Sequence, residues 1–96
     1  MDIETKKHKL SRYFYNNLEI ENLEKIGGMK NRIEVIKKEN EEILDGIHNL
    51  NSPVERLVLE KRYLLNLTYK ETAAEIHYSE SQTRRIEDKA IKNIRI

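Results

Sequence analysis

Ninety-six residues carry 18 Lys+Arg against 17 Asp+Glu and no cysteine, which points to one small domain or a domain with a helical arm and rules out disulfides and thiolate metal sites. Charged residues are 36% and apolar ones only 38%, a lean mixture that predicts a compact part joined to an elongated, solvated helical part. No apolar run approaches the roughly 18–20 residues of a membrane span, and with 3 glycines, 1 proline and 6% aromatics the chain reads as all-α.

Met1 to Leu10 has lysines but no apolar run behind them, so no signal peptide is expected and the protein reads as cytosolic. Net charge divides weakly. Residues 1–50 hold nine basic and ten acidic side chains, and residues 51–96 hold nine and seven. A balance this small neither demands nor excludes nucleic acid, because local placement decides a groove contact.

Ile3 to Ile26 is helix-compatible, with Leu10, Tyr13, Phe14, Leu18, Leu23 and Ile26 as its apolar set. Asn16-Asn17 weakens its middle, leaving one long helix or two short ones. Gly27-Gly28 then breaks the pattern. From there to Asn51, the residues Ile26, Met29, Ile33, Ile36, Asn40, Ile43, Ile47 and Leu50 recur at alternating steps of three and four, a heptad seam with a polar residue at one a position. The seam gains stability only against a partner, either the first helix of the same chain or a second copy. An a-position asparagine favours a parallel dimer, yet that arrangement sets Arg32 against Lys37 of the other copy. An antiparallel pairing opposes Arg32 with Glu39 instead.

Three capping boxes follow: Ser52-Pro53-Val54-Glu55, Thr68-Tyr69-Lys70-Glu71 and Ser79-Glu80-Ser81-Gln82. In the first, Pro53 stands at the opening helical position, where its missing N–H costs nothing. Each box precedes a helical pattern, and together they predict helices over about 53–66, 69–76 and 80–94. Only His77-Tyr78-Ser79 separates the last two, which suits a helix-turn-helix. Ala73 allows close helix crossing; Ile76, Tyr78, Ile86 and Ala90 line the interior. Thr83 packs its methyl and bonds its hydroxyl within its own helix. His77 occupies the turn position that wants φ > 0.

The stretches Arg56-Leu57-Val58-Leu59-Glu60-Lys61-Arg62-Tyr63, Leu67-Thr68-Tyr69-Lys70-Glu71-Thr72-Ala73-Ala74-Glu75-Ile76 and Tyr78-Ser79-Glu80-Ser81-Gln82-Thr83-Arg84-Arg85-Ile86-Glu87 resemble the region-four helix-turn-helix of bacterial sigma factors. With the charged, heptad-like helix ahead of it, the whole is most similar to small phage regulators of the ArpU/RinA type. That resemblance implies a DNA-binding activator of late phage genes, acting in the cytoplasm of a Gram-positive host. Two departures stand out: His77 replaces the turn glycine, and Thr83 an aliphatic residue.

In a helix-turn-helix the second helix enters the major groove by its N-terminal residues while the first crosses the backbone. Ser81, Gln82, Arg84 and Arg85 are therefore the candidate base readers, an arginine for guanine O6 and N7 and the glutamine for adenine. Thr68, Tyr69, Lys70, Ser79 and Lys89 are candidate phosphate contacts. Glu80 fits a first-turn dipole partner better than a base reader. Glu87 and Asp88 are expected to pair with Arg84 and Lys92 along the helix. Arg56, Lys61 and Arg62 read as solvated, and Tyr63, Tyr69 and Tyr78 as packing residues.

No catalytic constellation, cofactor motif or metal site emerges: His8, His48 and His77 fall on separate segments without paired spacing, and there is no Gly-rich phosphate loop or nucleophile motif. The expected architecture is an N-terminal helical arm or hairpin (1–51), docking or self-associating through Ile33, Ile36, Asn40, Ile43 and Ile47, followed by a three-helix DNA-binding domain (52–96). Double-stranded DNA is the expected partner, with RNA polymerase and a second copy of the chain as further ones, and no membrane or small-molecule substrate. The rival reading is a protein-interaction module, in which the helix-turn-helix is a scaffold for docking RNA polymerase or another phage or host protein.

Overall fold

The computed structural model describes residues 1–96, and every element in it is helical. Asp2 opens α1 (Ile3–Ile26) by accepting the Thr5 N–H at 2.8 Å. The helix runs unbroken for 24 residues, so Asn16-Asn17 does not divide it. Gly27 and Gly28 take φ values of 82° and 72°, two successive left-handed residues that glycine adopts without strain. The chain then returns along α1 as α2 (Lys30–His48).

Of the two partners open to the heptad seam, the structure supplies α1. Asn40, Ile43, Ile47 and Leu50 are buried, as are Leu10, Asn16, Ile20 and Leu23 of α1. Ile33 and Ile36 are half-buried, while Ile26 and Met29 lie exposed at the hairpin tip. The asparagines explain why α1 survives its weak middle. Asn16 Nδ2 donates to Asn40 Oδ1 at 2.8 Å and to Glu39 Oε1 at 2.9 Å, and Asn40 Nδ2 donates to Asn17 Oδ1 at 3.0 Å. A slip of the hairpin would leave these amides unpaired in a buried layer, which sets the register. Arg12 Nε reaches Glu39 at 2.7 Å, and Arg32 pairs with Glu19.

Ser52 caps α3 (Pro53–Leu59) by accepting the Glu55 N–H at 3.3 Å. Only half of the expected box forms, because Glu55 is buried and accepts instead from Asn93 Nδ2 at 3.2 Å. The helix continues as a π-helical stretch, Glu60–Leu64, closed by Leu65 N–H to the Glu60 carbonyl at 3.0 Å. Asn66 then takes φ 57° and ends it, two residues short of the expected boundary. After α4 (Tyr69–Ile76), His77 adopts φ 61°, ψ 38°, the left-handed conformation expected of it, and α5 (Glu80–Asn93) follows.

One cluster binds the two halves of the chain: Leu10 of α1, Ile43 and Ile47 of α2, Leu50 in the loop after it, Leu59 of α3, Tyr63 of the π-helical stretch, and Ala90, Ile91 and Ile94 at the end of α5. Lys6 adds a polar clamp. Its Nζ donates to the Lys92 and Ile94 carbonyls at 3.1 and 2.8 Å, satisfying acceptors that the end of α5 leaves open. Gly46 lets the final residues lie over α2, since a Cβ there would stand 2.4 Å from Ile96 Cγ2 and 3.2 Å from the Arg95 carbonyl. No helix is long and apolar enough to cross a membrane.

Two predictions follow from this packing. Leu10→Ala, at a side chain with 0% exposure, is expected to cost about 2–5 kcal/mol in a urea titration; a loss below about 1 kcal/mol would show that the arm is dispensable to the core. Glu39 is held below its ordinary carboxyl pKa of 4.5, first by the Asn16 amide and then by Arg12. Its contribution is therefore complete above pH 4.5 and lost as pH falls through the lower folded-state value. The stability gap between wild type and Glu39→Ala, followed by denaturation from pH 6 downward, is expected to narrow only in that acid window.

Candidate nucleic-acid interface

The turn between α4 and α5 is held by its caps. Thr68 accepts the Glu71 N–H at 3.1 Å while Glu71 Oε1 accepts the Thr68 N–H at 2.9 Å; these bonds hold the Glu71 carboxyl below its usual range. Ser79 and Gln82 repeat the arrangement at 3.1 Å in each direction. Inside the turn, Ala73 and Thr83 are buried, and Thr83 Oγ1 donates to the Ser79 carbonyl at 2.8 Å. This is the role expected of a threonine in an aliphatic position. Tyr78 is 44% exposed and does not fold back into the interior as expected.

Ser79, Ser81, Gln82, Arg84, Arg85 and Lys89 are all exposed at the start and middle of α5, and Thr68 and Lys70 are exposed at the start of α4. The structure thus brings the expected base-reading and phosphate-binding residues to adjoining helix starts. Four of them are already engaged, Thr68 and Ser79 within their own capping boxes. Gln82 Oε1 belongs to its capping box, so an adenine contact requires the amide to leave Ser79. Tyr69 is half-buried and donates its hydroxyl inward to Glu87 Oε2, leaving only its backbone N–H at the helix start, where the dipole favours anions.

Glu87 departs furthest from the sequence expectation. It does not lie on a solvated face beside Arg84 and Lys92; it is 1% exposed. Arg62 Nε donates to Glu87 Oε1 at 3.2 Å, Tyr69 donates to the other oxygen, and Lys7 Nζ stands 4.0 Å away. Arg62 is correspondingly not solvated. Its second donor reaches the Leu67 carbonyl at 2.5 Å, and its guanidinium carbon lies 3.9 Å from the Tyr69 ring centroid. Lys61 pairs with Glu75 at 2.6 Å, and Arg56 donates to the Leu50 carbonyl at 2.5 Å. Burial, followed by the Glu87 charge, pushes the Tyr63 hydroxyl above the ordinary phenol range, so it stays protonated.

A signal for Glu87 was present in the spacing: Thr83, Glu87, Ala90, Ile91 and Ile94 form the buried stripe of α5. A glutamate inside an i, i+4, i+7, i+8 stripe is a buried residue in need of a cation. No cluster of three His, Asp or Glu side chains is placed to hold a metal ion.

Two short helices crossing through a tight left-handed turn, the second presenting an exposed polar and basic N-terminal half, define a helix-turn-helix of the DNA-binding class. The family model for sigma-70, region 4, matches residues 52–95. This part of the chain is a sigma-region-four-like helix-turn-helix, a domain type that binds DNA and contacts RNA polymerase. No curated protein and no solved structure matches the chain.

Glu87→Gln keeps the shape but removes the charge that Arg62 faces. A loss of about 1–3 kcal/mol is expected in chemical denaturation, with the double variant Glu87→Gln, Arg62→Met recovering part of it. Additive losses would show that the two side chains do not form one unit.

Proposed function

We propose that the protein is a sequence-specific DNA-binding transcriptional regulator whose α5 reads the major groove. Residues 52–96 act as the DNA-binding unit, and residues 1–51 act as the support that docks on it. The observation that carries the reading is the joint exposure of Ser81, Gln82, Arg84 and Arg85 on the second helix of a sigma-region-four-like turn. Arg84 and Arg85 supply the paired donors that guanine accepts, and Ser81 and Gln82 lie one turn earlier on the same helix. Lys70, Thr68, Ser79, Lys89 and the Tyr69 amide hold phosphates on either side, which positions the domain without adding sequence information.

The small size and the charged two-helix arm ahead of this domain support the finer assignment: a phage-encoded activator of late genes, similar to regulators of the ArpU/RinA type. RNA polymerase is the second partner of this reading, since the domain type contacts it. The rival interaction module loses the surface first assigned to it, because Ile43 and Ile47 of the seam are buried in the chain's own core. For the same reason a second copy would be brought in by a repeated DNA site and not by this seam.

Selection from a random duplex pool at about 50 and 200 mM salt tests the proposal. One enriched motif and a steep loss of affinity with salt are expected. Arg85→Ala is expected to cost about 1–3 kcal/mol and to relax preference at one base pair, while Lys70→Ala weakens all sequences evenly. Salt-insensitive binding with no enriched motif would overturn the assignment.

A further inference from the structure

We infer that Tyr69 is a positioning residue for Arg84, holding that guanidinium ready for a base edge before DNA arrives; this rests on the base-reading role proposed for α5. The Arg84 guanidinium carbon lies 4.0 Å from the centroid of the Tyr69 ring. The same ring carries Arg62 at 3.9 Å, and its hydroxyl is bound to Glu87, itself 1% exposed. Tyr69 is therefore fixed by partners from the π-helical stretch after α3 and from α5, and Arg84 is the exposed member of the group.

The chemistry of the stack allows reading to continue. A guanidinium is planar, with its N–H donors pointing outward in the plane. Stacking occupies a face and leaves the donor edge free, and Arg84 makes no side-chain hydrogen bond or ion pair with Glu80, Glu87 or Asp88 that would occupy it. An exposed arginine ordinarily loses much rotamer freedom on binding a base. Here the ring has already removed part of that freedom. Arg85, next in sequence, stacks on no aromatic ring and keeps its freedom. The two arginines are thus unequal readers, Arg84 the more discriminating and Arg85 the more adaptable.

The test compares base preference, by competition binding to duplexes varied one position at a time, for wild type, Arg84→Ala, Tyr69→Phe and Tyr69→Leu. Arg84→Ala identifies the position that Arg84 reads. Tyr69→Leu is expected to lose roughly threefold to tenfold of the preference at that position alone. Tyr69→Phe keeps the ring and is expected to keep the preference, although it gives up the bond to Glu87. In the combined Tyr69→Leu, Arg84→Ala variant the leucine is expected to add no further loss there.

A second readout needs no DNA. The Arg84 side-chain protons are expected to carry an upfield ring-current shift in the NMR spectrum of the free full-length protein, kept in Tyr69→Phe and lost in Tyr69→Leu. If Arg84→Ala changes preference nowhere, the base-reading role falls and this inference with it. If Arg84→Ala acts but Tyr69→Leu weakens all duplexes evenly, or the shift is missing in wild type, the positioning role alone is overturned.

Discussion

A carboxylate sealed inside a 96-residue helical protein organises the helix-turn-helix part of the fold. Glu87 sits on the buried stripe of α5, and an uncompensated charge there would cost several kcal/mol. Its partners come from across the fold: Arg62 from the π-helical stretch that continues α3, Tyr69 from the first turn of α4, and Lys7 at longer range from α1. Satisfying that one charge therefore ties α4 and α5 to α3. The π-helical stretch carrying Arg62 and Tyr63 belongs to the same arrangement. Such wider turns are rare and are often found at functional sites.

The N-terminal half uses the same kind of device with neutral groups. Asn16, Asn17 and Asn40 exchange amide hydrogen bonds across α1 and α2, with Glu39 and Arg12 at the edge of the layer. Polar groups at this depth add little net stability, but they penalise every other register of the hairpin. The hairpin in turn completes the core. Leu10, Ile43 and Ile47 pack against Leu59, Ala90 and Ile91, and Lys6 closes the far end of α5. The arm and the helix-turn-helix are thus one packed body, measuring 46 × 26 × 21 Å along its principal axes.

How much was legible depended on how local the cause was. The capping boxes at Thr68 and Ser79 act within four residues, and both helices begin where those boxes place them. The His77 conformation and the Thr83 back-bond are equally local and follow from residue type. Misreadings gathered where a side chain had a choice of partners. Glu55 can complete its capping box or reach Asn93, and takes the latter. Arg62 resembles any helical surface arginine until Glu87 and Leu67 are brought beside it. Tyr69 packs inward as its spacing suggests, but that its hydroxyl meets Glu87 depends on how α4 and α5 come together.

The sequence by itself determined an all-α chain, the turn at Gly27-Gly28, the heptad spacing of α2 and the two helices that make the helix-turn-helix. Those features arise from backbone preferences, caps and periodicity, each complete within one or two turns of chain. Only the tertiary structure decided that α1 fills the seam, that Asn16 and Asn40 are partners, and that Glu87 is buried with Arg62 and Tyr69. The physical reason is the same in each case: a polar or apolar side chain states what it needs locally, but which of several suitable partners meets that need is set by how the helices pack.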